Sequence, residues 1–192
     1  MPPSGSKQGA IVRQDLLEHS KQADGEYARK LVDFAEGNGG NRLRLKIAYA
    51  HLVECMGNTH QHASARPGEQ TWWASVFRDS RRKCDCFTFV DMGVGIFNSV
   101  ELSLRLRIYS FTGFRHQILK RLLEGKIPSS TGKPYRGRGL PWIYRSCIDQ
   151  KVKRLVIVTN NVFGDAERDD FRALEHDING VILYWEVPHE CS

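Results

Sequence analysis

The chain has no run approaching the roughly 18 consecutive apolar residues that a membrane span requires. Its first stretch, residues 1–9, holds Pro, Ser, Gly, Lys and Gln and no apolar segment of the signal-peptide kind. Both absences predict a cytoplasmic protein with no membrane partner. Cysteine is sparse: the five residues Cys55, Cys84, Cys86, Cys147 and Cys191 are odd in number and scattered, which argues against a disulfide framework. Cys84-Asp-Cys86 has the form of half a metal site, but no second pair stands at ligand spacing, so it reads as side chains on a strand. His51, Cys55, His60 and His62 could be assembled into a zinc set, yet His51 and His60 fall on different faces of a helix. No internal repeat is present.

What remains is ordinary for a globular chain: 192 residues, 41% apolar and 26% charged, enough for one domain with a real core. The formal net charge of +6 suits an anionic ligand, nucleotide or nucleic acid, and is equally compatible with a solvated basic surface.

Residues 1–10 read as disordered and 11–192 as a single domain. Ile11 to about Glu36 reads as helix, with a break near Ala23-Asp-Gly25, and could serve dimerisation. Gly37-Asn-Gly-Gly40 is a turn. A long helix spans roughly Arg42 to Ala63. Thr71–Arg78 and Cys84–Asp91 form a hairpin across the polar turn Asp79–Lys83. Phe97 to about Leu106 and Phe111 to Leu123 read as helical, as does Leu140–Asp149, entered from Gly139. Arg154–Thr159 and Gly180–Pro188 read as strands, separated by a polar turn and excursion over Asn160–Glu175. The implied fold is α+β: a two-layer α/β sandwich, with a mixed, mostly antiparallel sheet of about four strands covered on one face by helices.

The long helix carries an anomaly. Ile47, Ala48, Tyr49, Ala50, Leu52, Val53, Cys55 and Met56 put apolar groups on nearly every side, as in a core helix. Glu54, Asn58 and His62 nonetheless recur every four residues, each about 40° further round, and make one polar stripe. A buried carboxylate and carboxamide are costly unless something satisfies them. The alternative is a core carboxylate paired with an arginine, and His62 reads as structural.

Two further motifs stand downstream. Asp91-Met-Gly-Val-Gly-Ile96 ends the second hairpin strand. Its carboxylate is acceptor-only and matches the exocyclic amine of adenine, and Gly93 and Gly95 let a ligand approach the backbone. Taken alone, it is also what a tight turn after a strand looks like. Arg136-Gly-Arg-Gly-Leu140 closes a basic loop, residues 125–139, and opens a helix. Free N–H groups there can hold phosphate, with Lys133, Arg136 and Arg138 beside them. A solvated loop or a nucleic-acid contact is the other reading.

In order and spacing, these three motifs resemble the GHKL ATP-binding family of gyrase B subunits, mismatch-repair ATPases, ninety-kilodalton heat-shock chaperones and histidine kinases. Within it the chain looks closest to the small histidine-kinase-like domains, including anti-sigma serine kinases. The resemblance covers residues 42–188. It implies a Bergerat fold with ATP between helices and sheet. Glu54 would be the catalytic base and Asn58 the Mg²⁺ ligand. Asp91 would bind adenine, with Gly93, Gly95 and Ile96 around the base and ribose. Lys133, Arg136, Gly137, Arg138, Gly139 and Leu140 would hold the phosphates under a lid. The chain departs from the family at Gly180-Val181, where many members have Gly-Thr; the hydroxyl is then missing or comes from Thr159. No phosphoacceptor-histidine helix is evident. The resemblance implies an ATPase or kinase-like module acting on a protein partner, or a silent ATP sensor regulating one. A basic nucleic-acid module using Arg81, Arg82, Lys83 and the 133–138 loop is the reading from another class.

Overall fold

A computed structural model describes residues 9–15, 24–62, 71–99, 114–127 and 138–189. Five strands, β1 (Gly9–Asp15), β2 (Thr71–Asp79), β3 (Cys84–Asp91), β4 (Lys153–Asp165) and β5 (Asp170–Pro188), form one sheet in the order β1-β2-β3-β5-β4. Every neighbouring pair of these described strands is antiparallel, so the expected α+β architecture with its mostly antiparallel sheet stands. The helices are α1 (Gly25–Gly37), α2 (Arg42–His62), α3 (Ile96–Ser99), α4 (Arg115–Leu123) and α5 (Gly139–Ile148).

Alternation along the strands builds the core. Trp72, Ala74 and Val76 of β2 are buried, as are Phe87 and Phe89 of β3 and Leu183 and Trp185 of β5. Register places Val76, Phe87 and Trp185 side by side, and the Phe87 and Trp185 rings stack with centroids 5.6 Å apart. The helices supply complementary stripes. Asp24 caps α1 by accepting from the Glu26 N–H at 2.9 Å, and Ala28, Leu31, Val32 and Ala35 form its buried face.

Three expectations are corrected. The N-terminal segment is not helical from Ile11: residues 9–15 pair along the β2 edge from Gly9↔Phe77 to Asp15↔Thr71, and only Gly25–Gly37 is helix. The β-branched pair Ile11-Val12 favours the extended state once a partner strand exists. Secondly, residues 160–175 are not a polar excursion. β4 and β5 run on as one long hairpin closed by a turn at 166–169, with Val162 opposite Ala173 and Gly164 opposite Phe171. Thirdly, α2 is not apolar all round in its environment. Leu45, Ala48, Leu52, Cys55, Met56 and Thr59 are buried, while Ile47, Tyr49, Ala50, Val53, Glu54 and Asn58 are half-buried. Residues 100–113 lie outside the described chain, so the helices expected over 97–106 and 111–123 are described only at Ile96–Ser99 and from Arg115 onward.

His51 is fully buried on α2, edge-on to Trp142 and Trp185 at centroid distances of 4.9 and 5.5 Å. Ser146 Oγ donates to the Ile143 carbonyl at 2.7 Å and lies 2.9 Å from His51 Nε2. The imidazole therefore donates through Nε2, and its Nδ1 has no partner among the described residues. This engagement removes His51 from any zinc set. Burial pushes its pKa down to about 3. The unfolded chain takes up this proton near pH 6.5 and the folded chain does not, so His51 makes stability fall as pH drops from about 6.5 toward 3. Urea unfolding of wild type and His51→Phe across that range is expected to show a wild-type slope steeper by up to about 1.4 kcal/mol per pH unit. Equal slopes would refute the assignment.

Candidate nucleotide site

Asp91 is the last residue of β3, between Trp72 of β2 and Val181 of β5. It is 7% exposed. Burial raises its pKa to about 6, against the opposing pull of the Gly93 and Val181 backbone N–H groups. The Gly93 N–H donates to Oδ1 at 2.8 Å, so the carboxylate folds the first glycine of the motif back onto itself.

The rest of the glycine loop is tethered from β4. The Ile96 N–H donates to Thr159 Oγ1 at 2.9 Å, and the Phe97 N–H to Asn160 Oδ1 at 3.3 Å. These are the otherwise orphaned donors at the start of α3. Asn160 Nδ2 returns a bond to the Val94 carbonyl at 3.2 Å, and Gly95 is buried beside it. Asn160 sits at a register irregularity of β4 with φ of +50°, a conformation that asparagine tolerates better than most residues. The Thr159 hydroxyl is wholly buried and donates to the Gly180 carbonyl at 3.1 Å. With Asn160 Oδ1 a longer 3.4 Å away as a second acceptor, its described bonds are all internal: it fastens the loop to the sheet. Thr159 and Asn160 are the site residues that the motif reading missed, apart from Thr159 as a stand-in hydroxyl. A Thr-Asn-Asn run interrupting an apolar strand is the signal that could have pointed to them.

Glu54 and Asn58 lie one turn apart on the flank of α2. Neither side chain has a hydrogen bond or ion pair to any described residue, so the arginine-paired alternative for Glu54 has no support among them. α5 begins against Glu54: a Cβ at Gly139 would overlap the Glu54 carboxylate. Only glycine allows this approach. Among the described residues no side chain caps the N-terminus of α5, and Pro141 has no N–H to offer, so the N–H groups of the first turn are those of Gly139 and Leu140. A carboxylate there is favoured by the helix dipole. Beside Glu54 on α2, Cys55 is buried, at 3% exposure. Burial first, then the nearby Glu54 and Asp91 carboxylates, push its thiol well above the ordinary range. One buried thiol thus feels both acids.

The structure therefore brings Gly139, at the start of α5, against Glu54, sets Asn58 one turn along α2, and places Asp91 near enough to Cys55 of the same helix for their charges to interact, while Gly95 lies against Asn160 of β4. Ile96 is 5% exposed and part of the core. Arg138 is exposed immediately before α5, its carbonyl accepting from the Trp142 N–H at 2.9 Å. Lys133, Arg136 and Gly137, like most of the basic loop and the His62 side chain, lie outside the described residues. No helix among the described residues is long and apolar enough to cross a membrane. No protein-family model matches the chain, and no curated protein is similar to it in sequence.

Proposed function

We propose that the chain is a Mg²⁺-dependent ATP-binding module of the GHKL kind, with Glu54 as the base that takes a proton from an attacking water or hydroxyl. The observation that carries this reading is the contact between Glu54 and the uncapped start of α5 at Gly139. A helix N-terminus is suited to phosphate, but a carboxylate beside it repels phosphate unless a cation stands between them. The Asn58 carbonyl oxygen, one turn away and free of described partners, is a hard ligand of the type Mg²⁺ takes alongside waters and phosphate oxygens. Magnesium held there would neutralise phosphate charge. Asp91, acceptor-only when ionised, would take the exocyclic amine of adenine, and the tethered glycine loop would keep the adjoining backbone clear of side chains. Together these assignments would give the unpartnered acid and amide of α2 and the buried aspartate that ends β3 one common ligand.

Glu54→Ala separates binding from chemistry. ATP affinity measured calorimetrically with Mg²⁺ is expected to stay within about threefold of wild type, because the carboxylate is not a proposed ligand of the base or metal. Phosphate release or phosphotransfer is expected to fall by about 10²-fold or more, the usual scale for loss of a general base. Binding with no turnover in the wild type, alone and with partners, would select a silent ATP sensor. Absence of ATP binding in the wild type would reject the whole reading.

A further inference from the structure

The sheet face turned away from Asp85, Phe87 and Phe89 carries a second cluster of chemistry-bearing side chains. Cys84 and Cys86 alternate with those residues on β3, and Glu186 pairs with Cys86 across the β3–β5 ladder. All three are buried, at 2%, 0% and 5% exposure, and their ligand atoms lie within 4.8 Å of one another. The two sulfurs are 3.8 Å apart, and Cys84 Sγ is 3.7 Å from Glu186 Oε2. A tetrahedral zinc ion with bonds of about 2.3 Å to sulfur and about 2.1 Å to oxygen spaces its ligands about 3.8 Å (S to S) and about 3.6 Å (S to O). From this match we propose that Cys84, Cys86 and Glu186 form a binding site for a thiophilic divalent cation of the zinc type, with a fourth position left for water or another ligand.

The groups around the cluster hold the carboxylate in place for this role. Glu186 Oε1 is held by the Arg82 guanidinium, by the Tyr184 hydroxyl at 2.6 Å and by Arg154 at 3.4 Å. Oε2 is thereby fixed toward the sulfurs as a single-oxygen ligand. Two thiolates and a carboxylate around a divalent cation leave one net negative charge, and the two arginines offset it. Arg82, 39% exposed at its side chain, lies over the cluster, with Nη2 3.7 Å from Cys86 Sγ. It is the group an entering metal must move. Binding converts two thiols to thiolates and releases their protons to solvent. The site is independent of the proposed nucleotide site, because it occupies the other face of the sheet. Two cysteines two residues apart with no second pair are a weak motif; the third ligand comes from a strand 100 residues later, brought in only by the ladder.

The test is titration of the reduced full chain with Co²⁺, then displacement by Zn²⁺. The expected result is one ion per chain, a thiolate-to-cobalt charge-transfer band, and visible bands of tetrahedral intensity. Cys84→Ser/Cys86→Ser is expected to lose them, Cys191→Ser to keep them, and Glu186→Gln to keep the sulfur band with affinity reduced about tenfold or more. X-ray absorption on the zinc-loaded wild type, which depends on no variant folding, is expected to show two sulfur ligands. No charge-transfer band at one equivalent, zero or one sulfur ligand, wild-type signal in the double serine variant, or unchanged affinity in Glu186→Gln would each overturn the site.

Discussion

Asp91→Asn is expected to abolish measurable ATP binding while leaving the fold in place. Asparagine has nearly the shape of aspartate, and its carbonyl can still accept the Gly93 N–H that now meets Oδ1 at 2.8 Å. The other atom becomes an NH₂ donor, and in the proposed pose it would face the amine of adenine, donor against donor. A buried polar group left unpaired costs about 1–3 kcal/mol, and the lost charge-assisted bond adds about 1.5–3 kcal/mol, so affinity should fall by about 10²-fold or more. Calorimetric titration of ATP with Mg²⁺ into wild type and variant reads this directly, and equal affinities would sink the adenine assignment. The wild type carries an internal check. Burial holds the free Asp91 near pKa 6, and a donor on the ionised form lowers that value in the complex. ATP affinity should therefore be flat above about pH 6 and weaken by up to about tenfold per unit below it.

The legibility of this fold in its sequence follows a physical divide between local and ladder-dependent features. The β2–β3 hairpin and the start of α5 at Gly139 are legible, because turn residues and apolar period are written in adjacent positions. The Glu54–Asn58 stripe is legible as a stripe but not in its surroundings: helical spacing shows which residues share a face, not how deeply that face sits, and both turn out half-buried. β1 reads wrongly as helix because Ile11 and Val12 become a strand only through pairing with Ser75 and Ala74, some 60 residues away. The far part of the β4–β5 hairpin looks like loop because its exposed face is charged and polar, although Val162 and Ala166 are buried. Thr159 holds the glycine loop only because register sets it opposite Val181, which is itself opposite Asp91. No local pattern carries that three-strand alignment.

The same alignment makes Gly180 the position where a single methyl group should do most damage. Its φ is +99°, a region that L side chains rarely occupy. It lies beside the end of β3, and a Cβ there would overlap the Asp91 carbonyl oxygen and stand 2.9 Å from the Asp91 carbonyl carbon and 3.1 Å from Met92 Cα. These are backbone atoms at the end of a ladder, with no flexible side chain to swing aside. Gly180→Ala must therefore either open the β3–β5 ladder or push Asp91 off its position, and the Gly180 carbonyl that receives the Thr159 hydroxyl moves with it. Strained φ alone costs about 1–3 kcal/mol, and the overlap adds to it, so urea unfolding should show a loss of about 3 kcal/mol or more. Gly57→Ala is the matched control. Gly57 lies within α2, and beyond the helix's own backbone and its two chain neighbours no atom of the described residues stands within 4 Å of the place its new methyl group would take. Alanine in a helix is favoured over glycine by up to about 1 kcal/mol, so this variant should be stabilised. If Gly180→Ala unfolds at the wild-type midpoint, the close approach of β5 to Asp91 is wrong. If it is destabilised yet binds ATP with wild-type affinity, the ladder is right but Asp91 does not hold the base.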